Sequence, residues 1–367
     1  MTAVSYSFQR CTIFDFSNIT YPTTEKGILE LQNLNYDELD LLWRTVPSSR
    51  RFTGAIMEAV DKHCATAAHL PNEDADGFIQ ILTEKIQRKY VSLIVETFDY
   101  DGKGDIEDFV DALTTKFAPN FLRDFTTDSP MEDLAQQNCF GGYAIIIRLK
   151  CKAKWLTAAV TDFNKKISLT GGALIFISTE LNPPPSLTRL SDFLTPYDMQ
   201  FFSMNLLENA RLSPQEKIYT AALTAKLAKQ SAILAKNLAK TELYTYGFDF
   251  VKTVVPNFDL KIYTRAVWEC QVQFLLPALE QIRSQLIEKN FSKLRKILPK
   301  TDEFGKTLSN AWDMELRHLH YYGGSEKIFS YDDWELLELA YFARNDLSHL
   351  QTLDLPQLEK IFNLVND

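Results

Sequence analysis

Residues 141–178 read GGYAIIIRLKCKAKWLTAAVTDFNKKISLTGGALIFIS, and this stretch decides the fold of the first half of the chain. Two short apolar runs, YAIIIRL at 143–149 and ALIFIS at 173–178, each follow a pair of glycines. Apolar runs of this length, bounded by turn residues, are typical of strands inside a covered sheet. Residues 152–166 between them have the pattern of a helix. Strand, helix and strand in this order predict a parallel sheet covered by helices.

The same pattern continues toward the N-terminus. Residues 65–70 and 91–98 are predicted strands, and residues 106–117 a helix. The second strand, VSLIVETF, is rich in β-branched and apolar residues without alternation, which predicts burial on both faces. Residues 12–16, TIFDF, alternate and predict a further short strand. We therefore predict an α/β domain with a parallel sheet over residues 1–186.

From residue 187 the sequence predicts helices only. Ser213 and Glu216 have the spacing of a capping box, with Pro214 at the first helical position. The alanine-, leucine- and lysine-rich residues 218–240 then predict one long helix whose lysines face solvent. We assign residues 187–255 to a helical connector and residues 256–367 to an all-α helical bundle.

Charge and composition limit the classes of function. The chain has 367 residues and a formal net charge of −9 at pH 7, so any RNA site must be local rather than spread over the surface. Its five cysteines are scattered without CxxC or zinc-type spacing, which predicts reduced thiols and no metal site. The N-terminus lacks the pattern of an export signal, and no window approaches the roughly 18 apolar residues of a membrane span. We expect a cytoplasmic protein.

The phosphate-binding motifs of nucleotide enzymes do not occur in this sequence. Neither GxxxxGK[ST] nor GxGxxG is present. Residues 47–54, PSSRRFTG, open a helix and could hold an anion through backbone amides and two arginines. They lack the lysine and hydroxyl that hold a triphosphate and magnesium. We therefore predict no cofactor for the α/β domain.

Residues 99–106, DYDGKGDI, look like the front half of an EF-hand calcium loop. However, Lys103 stands at a ligand position, and Val110 stands where the bidentate glutamate belongs. A cation in place of a ligand would weaken calcium binding severely. We predict instead a polar turn between a strand and a helix, with Asp105 as the helix cap.

Two interpretations of the α/β domain remain, an unrelated scaffold or a P-loop domain that has kept its sheet and lost its chemistry. An α/β domain without a phosphate loop is followed by a helical connector that contains SDFLTPYDMQFF at 191–202, and by a terminal helical module. This arrangement resembles the inactive STAND-type P-loop domains of prokaryotic conflict systems. The resemblance implies a scaffold or sensor domain, not an ATPase.

The segment 334–350, WELLELAYFARNDLSHL, carries the candidate site of the bundle. Its apolar residues recur at steps of three and four, which predicts an amphipathic helix. Arg344, Asn345 and His349 lie on this helix within about a turn and a half. A guanidinium can neutralise phosphate charge, an amide can orient a ribose hydroxyl, and an imidazole can exchange a proton near neutral pH. Together they can bind a phosphodiester and transfer a proton next to it.

The stretch RNDLSH at 344–349, an arginine, four residues and a histidine, resembles the motif of the HEPN superfamily. Many of these helical domains are metal-independent ribonucleases in antiviral defence and toxin systems. The resemblance implies an RNA-cleaving effector in which the ribose 2′-hydroxyl is the nucleophile. His349 would transfer protons, Arg344 would stabilise charge on the phosphate, and Asn345 would position the hydroxyl or the phosphate. It also implies a homodimer, or a larger complex with proteins encoded by neighbouring genes.

A non-catalytic interpretation stays open, because many HEPN domains bind proteins. The bundle would then be an adaptor, and the α/β domain an assembly platform of a defence complex. The environment of His349 separates the two. An imidazole buried and bonded within its own bundle favours the adaptor, and one open in a dimer cleft beside a second Arg344 favours the nuclease.

Two further groups of cations are candidates for anion binding. Arg317 and His320 lie three residues apart on a predicted helix and could form a second anion-binding pair, although a surface helix end before Gly323 is the favoured interpretation. A basic cluster could supply a local RNA track if it faced Arg344. It consists of Lys289, Lys293, Arg295, Lys296 and Lys300.

Overall fold

A parallel five-stranded sheet forms the centre of the first half of the protein, in the computed structural model that describes residues 38–102, 104–123, 129–166, 168, 170–180, 184 and 186–366. The strands are β1 (Ala65–His69), β2 (Ile94–Tyr100), β3 (Tyr143–Leu149), β4 (Ala173–Ser178) and β5 (Thr188–Arg189). They lie in the order β2-β3-β4-β1-β5, and all pairs are parallel. The predicted strand at 12–16 lies outside the described residues.

Helices cover both faces of this sheet. They are α1 (Asp40–Thr45), α2 (Pro47–Asp61), α3 (Asn72–Lys89), α4 (Ile106–Phe117), α5 (Pro130–Gln136), α6 (Leu156–Phe163) and α7 (Pro196–Leu206). Alternate residues of β3 point to opposite faces, so Ile146 packs in the core under α1–α3 and α7, and Ile147 packs in the core under α4–α6. All six residues of β4 are buried. We call residues 38–206 the α/β half.

The prediction of a parallel sheet covered by helices is therefore confirmed, and the bounds of β3 and β4 match the predicted runs. Two predictions about the edges were wrong. β2 was expected to be buried on both faces, but among the described strands it pairs with β3 alone, at one edge of the sheet, and Ile94 is 51% exposed. The last strand, β5, was missed because two residues paired to β1 leave no periodic signal.

The second half of the chain is helical apart from one β-hairpin whose strands have two residues each. Its helices are α8 (Pro214–Ala228), α9 (Ala232–Leu238), α10 (Thr241–Tyr246), α11 (Phe248–Val254), α12 (Leu260–Ile297), α13 (Leu316–Ser325), α14 (Tyr331–Ser348) and α15 (Leu355–Asn366). The hairpin pairs β6 (Lys300–Thr301) with β7 (Thr307–Leu308). This arrangement confirms the predicted fold class, an α/β half followed by a helical half.

The connector differs from its prediction in one respect. The capping box at Ser213 and Glu216 is present, but the predicted long helix is divided into α8 and α9. The division falls at Lys229, whose φ of +54° takes the backbone out of the helical region. Moreover, α8 is buried on most sides and packs into both the sheet core and the C-terminal core. Its lysines therefore do not define one broad solvent face.

The described helices and cysteines add two observations. None of these helices combines the length and the apolarity needed to cross a bilayer. The four described cysteines, Cys64, Cys139, Cys151 and Cys270, form no disulfide.

Candidate functional site

The motif residues lie at the C-terminal end of α14, a helix of 18 residues. Ser330 caps its start, because the Ser330 hydroxyl oxygen accepts a hydrogen bond from the backbone N–H of Asp333 at 3.2 Å. One stripe of the helix is buried in the C-terminal core, and it consists of Leu337, Ala340, Ala343 and Leu347. This stripe holds α14 against α12 and fixes which side chains face outward.

The end of α14 is tied to α12 on both sides of His349. The indole Nε1 of Trp268 donates a hydrogen bond to the carbonyl of Leu347 at 2.8 Å. Gln271, which is buried, donates to the carbonyl of Leu353 at 2.9 Å and accepts from its N–H at 2.8 Å. The backbone that carries the candidate residues is therefore anchored before and after them.

The three candidate side chains do not all face the same way. Arg344 and His349 are exposed and Asn345 is half-buried. At about 100° per residue, Asn345 and His349 lie about 40° apart around the helix axis, whereas Arg344 and His349 lie about 140° apart. Within the described part of the chain, none of the three side chains has a hydrogen-bond or ion-pair partner. Asn345 and His349 thus share the outward face, and Arg344 is turned toward a groove.

This groove has a volume of about 350 Å³ and runs between α12, the segment 312–316 and α14. Arg283 and Arg344 both line it. The guanidinium of Arg283 is already engaged, since it donates to the carbonyl of Met314 at 2.8 Å and to the carboxylate of Glu280 at 2.8 and 2.9 Å. Arg344, by contrast, has no partner in the described part of the chain, so its five N–H donors are available to a ligand.

The remaining lining of the groove is mixed in character. Three carboxylates line it, those of Glu280, Asp313 and Glu315, together with the indole of Trp312, which is 42% exposed. Asp313 is used locally, because it accepts the backbone N–H of Asn310 at 2.9 Å. A multiply charged anion would be repelled from the middle of this groove, so Arg344 can serve an anion only at its rim.

The structure does not bring Arg317 and His320 together as an anion site. Three carboxylates surround the guanidinium of Arg317 at 3.3 to 3.6 Å, and they belong to Asp302, Glu303 and Glu315. The ring of His320 is stacked between Trp334 and Tyr341, with centroid distances of 5.0 and 4.3 Å. One member is neutralised and the other is covered on both faces.

The basic cluster lies away from Arg344. Lys289 pairs with Asp333 at 2.7 Å, in the first turn of α14, whereas Arg344 lies 11 residues further along this helix. At 1.5 Å per residue this separation is about 16 Å. Burial opposes ionisation of Asp333, but hydrogen bonds from Lys289, Asn290 and Ser330 outweigh it and lower the pKa of this carboxyl. The cluster therefore stabilises the start of α14 and does not extend the candidate site.

Residues 47–54, which could hold an anion on sequence grounds, are occupied by internal contacts instead. The hydroxyl of Ser48, in the first turn of α2, donates to the carboxylate of Asp198 at 2.8 Å, and Arg51 donates to Ser48 at 2.8 Å. Arg50 turns away and donates to the carbonyl of Arg44 at 2.9 and 2.6 Å. A carboxylate of the protein therefore occupies the place where an anion would approach the helix N-terminus.

Polar side chains near the carboxyl ends of the strands are also bonded internally. This edge is where parallel α/β sheets bind their ligands. Here Arg148 at the end of β3 forms an ion pair with Asp76 of α3, and His69 Nε2 lies 2.7 Å from the carbonyl oxygen of Glu180. The loop after β2 is the predicted polar turn, because the Asp105 carboxylate caps α4 by accepting the N–H of Asp108 at 2.9 Å.

The sequence predicted Arg344 as a site residue, but it gave no indication of the other residues that line the groove. Arg283 and Trp312 reach the same groove from positions 61 and 32 residues earlier in the chain. No local period connects residues at such distances. The sequence offers one signal, a tryptophan next to Asp313, and this signal is not specific.

Comparisons with known proteins give little further information. No protein-family model matches the chain, and no curated protein matches it. Among solved structures, the chain is similar to that titled "Structure of the Aeropyrum Pernix ORC2 protein (ADPNP-ADP complexes)", with 7% sequence identity and a TM-score of 0.29. That match covers 86% of this chain and 92% of the other. A likeness at this TM-score carries no argument about function.

Proposed function

We propose that this protein cleaves RNA without a metal, through Arg344, Asn345 and His349 of α14. The observation that carries the proposal is the combination of free side chains and an anchored backbone. The three side chains have no partner in the described part of the chain, while Trp268 and Gln271 tie the helix end to α12. Polar groups that are held in place but not satisfied are what a binding or catalytic site requires.

The chemistry assigned to each residue follows from its functional groups. The ribose 2′-hydroxyl attacks the adjacent phosphorus, and the bond to the 5′-oxygen of the next nucleotide breaks. His349 takes the proton from the 2′-hydroxyl, Arg344 stabilises the extra negative charge on the phosphate oxygens, and the leaving 5′-oxygen takes up a proton from water. The products are a 2′,3′-cyclic phosphate and a 5′-hydroxyl. Asn345, on the same face as His349, orients the ribose.

The angular separation of Arg344 and His349 favours a site built from two copies of the chain. Side chains about 140° apart on one helix point away from each other, so one copy cannot bring both to the same phosphodiester. A second copy that turns its Arg344 toward the first copy's His349 would complete the set. In this proposal the α/β half is a scaffold or sensor, because it lacks the phosphate-binding motifs of nucleotide enzymes.

The test is cleavage of an end-labelled single-stranded RNA by the purified full-length protein in the presence of EDTA. We expect fragments that end in a 2′,3′-cyclic phosphate. His349→Ala and Arg344→Ala should each lower the rate by about 10²- to 10⁴-fold, because each removes a group that acts in the transition state.

Arg295→Ala is the matched control, because Arg295 is an exposed arginine of the same helical half outside the candidate site. It should retain full activity. Equal cleavage by all four proteins would identify a contaminating nuclease and overturn the proposal. Intact RNA with every protein, folded as judged by circular dichroism, would overturn it too.

A protein-binding adaptor is the second candidate, and one observation favours it. Phe342, on the same outward face of α14 as His349, is 51% exposed, and Leu350 beyond the helix end is 67% exposed. Apolar side chains on an outward helix face suit contact with another protein. In that case Phe342→Ser would abolish complex formation, while His349→Ala would leave it intact.

A further inference from the structure

A second cavity, of about 270 Å³, lies in the α/β half between α1, α2 and α3. Four cationic side chains and one carboxylate line it, namely Arg44, Arg50, Lys85, Arg88 and Glu84. The protein as a whole is acidic, with a formal net charge of −9. This cavity, which we call the cationic pocket, is therefore a local reversal of the overall charge.

Internal contacts hold the arginines of the cationic pocket in place. Glu84 accepts hydrogen bonds from Arg44 at 3.2 and 3.3 Å, and it lies 3.9 Å from Arg88. Arg50 donates two hydrogen bonds to the carbonyl of Arg44. These contacts hold the guanidinium groups of Arg44 and Arg50, and Glu84 is the one acidic side chain among the described residues that line the pocket.

Lys85 carries the surplus charge. Its ammonium group has no hydrogen-bond or ion-pair partner among the residues that the structure describes. Burial, and then the charges of Arg50 and Arg44, lower the pKa of the Lys85 side chain. An ammonium group that is partly buried beside two guanidinium groups is destabilised unless an anion joins it.

The geometry points to the cationic pocket as a binding site for a small molecule that carries a phosphate monoester. A monoester bears close to two negative charges at neutral pH, whereas a diester bears one, so the monoester offsets more of the positive charge of the lining residues. Guanidinium groups bind phosphate oxygens in a fork, and Lys85 adds a point charge.

The size of the pocket further limits the class of ligand that it can hold. Trp43 and Ile81 form the floor of the pocket, but they are only 1% and 2% exposed, so they close the pocket without offering a ligand much surface. Its volume is just below the range of about 300–1,000 Å³ that is usual for ligand sites. A sugar phosphate fits this space better than a dinucleotide does.

The test is isothermal titration calorimetry with the full-length protein, using ribose 5-phosphate as the probe. Thymidylyl-thymidine, which has one phosphodiester and no 2′-hydroxyl, is the comparison ligand. We expect saturable binding of ribose 5-phosphate and at least about tenfold weaker binding of thymidylyl-thymidine, because the diester carries one charge fewer. Binding should also weaken as the pH falls below about 6, where the monoester takes up a proton.

Variants assign the binding to the pocket. Lys85→Gln should weaken binding of ribose 5-phosphate at least tenfold and leave the unfolding temperature of the free protein unchanged or higher, since it removes an unpaired cation. Arg88→Gln, on the exposed rim, is a second variant and should also weaken binding. Lys62→Gln removes a lysine that pairs with Glu58 on the surface of α2, and it should bind as the wild type does.

Three results would overturn this inference. They are no saturable binding at millimolar ribose 5-phosphate, equal binding of the diester, and unchanged binding by both pocket variants. None of these measurements depends on RNA cleavage, so the outcome is independent of the function proposed for α14.

Discussion

His318 shows how a single buried residue can carry a pH dependence that the sequence does not reveal. Its Nδ1 accepts the backbone N–H of Glu315 at 3.0 Å, so the proton of the neutral ring lies on Nε2, 3.5 Å from the carboxylate of Asp302. Burial, and then the charge of Arg317, lower the pKa of His318, although Glu315 and Asp302 oppose this change. Protonation would remove the acceptor at the start of α13.

The free energy of unfolding should therefore decrease as the pH is lowered below about 6.5. A histidine in the unfolded chain has a pKa of about 6.5. In the folded state, His318 takes up its proton at a lower pH than that. The contribution of the neutral ring is thus complete above that value, and it is lost as the pH falls through the folded pKa. Urea unfolding of wild type and His318→Asn at pH 7.5 and 5.5 should show a smaller loss in the variant. The same loss in both proteins would contradict this assignment.

Among the helices, the end of α14 decides where His349 is placed. The N–H of Gln351 bonds to the carbonyl of Asp346 at 2.9 Å, and the N–H of Leu350 bonds to that of Leu347 at 3.3 Å. These are the two hydrogen bonds of a Schellman motif. The position that usually holds glycine is occupied by Leu350, with φ of +61°. An exposed leucine in the left-handed region stores strain.

Leu350→Gly should therefore stabilise the protein by about 0.5–1 kcal/mol, because relief of the strain exceeds the added flexibility of the unfolded chain. RNA cleavage should persist, since the hydrogen bonds that place His349 are kept. Leu276→Gly is the matched control, because Leu276 is 40% exposed inside α12. This control should destabilise by about 1 kcal/mol or more. Denaturant midpoints of the three proteins measure both effects, and a destabilised Leu350→Gly would contradict the strain argument.

How far the elements could be predicted depends on where their signals lie. β3, β4 and the start of α8 were predicted correctly, because apolar runs between glycine pairs and a capping box are local patterns. The break at Lys229 was not predicted, because no local sequence pattern indicates a positive φ at a lysine. The exposure of β2 was not predicted either, because its position at the edge depends on the order of the strands in the sheet. The groove beside Arg344 was equally out of reach, because it requires α12 and residues 312–316 to meet α14.

At the scale of the whole molecule, α8 connects the two halves through buried contacts on both of its sides. Ala225 and Ala228 pack in the sheet core under α1–α3, whereas Leu223 and Leu227 pack in the C-terminal core. Residues 187–255 were predicted to be a connector between two domains. A connector that contributes to both cores transmits a loss of packing in one half to the other, because neither core is complete without it.

We therefore expect the described residues to unfold as one cooperative unit. Leu223→Ala, in the C-terminal core, and Leu82→Ala, in the sheet core, should each cost about 2–5 kcal/mol. Native-state hydrogen exchange measured on peptides from β4 and α14 reports the free energy of opening in each half separately. If α8 couples the halves, each substitution lowers protection in both peptides by the same amount. If each substitution lowers protection only in its own half, the two halves open independently, and α8 is a linker without energetic coupling.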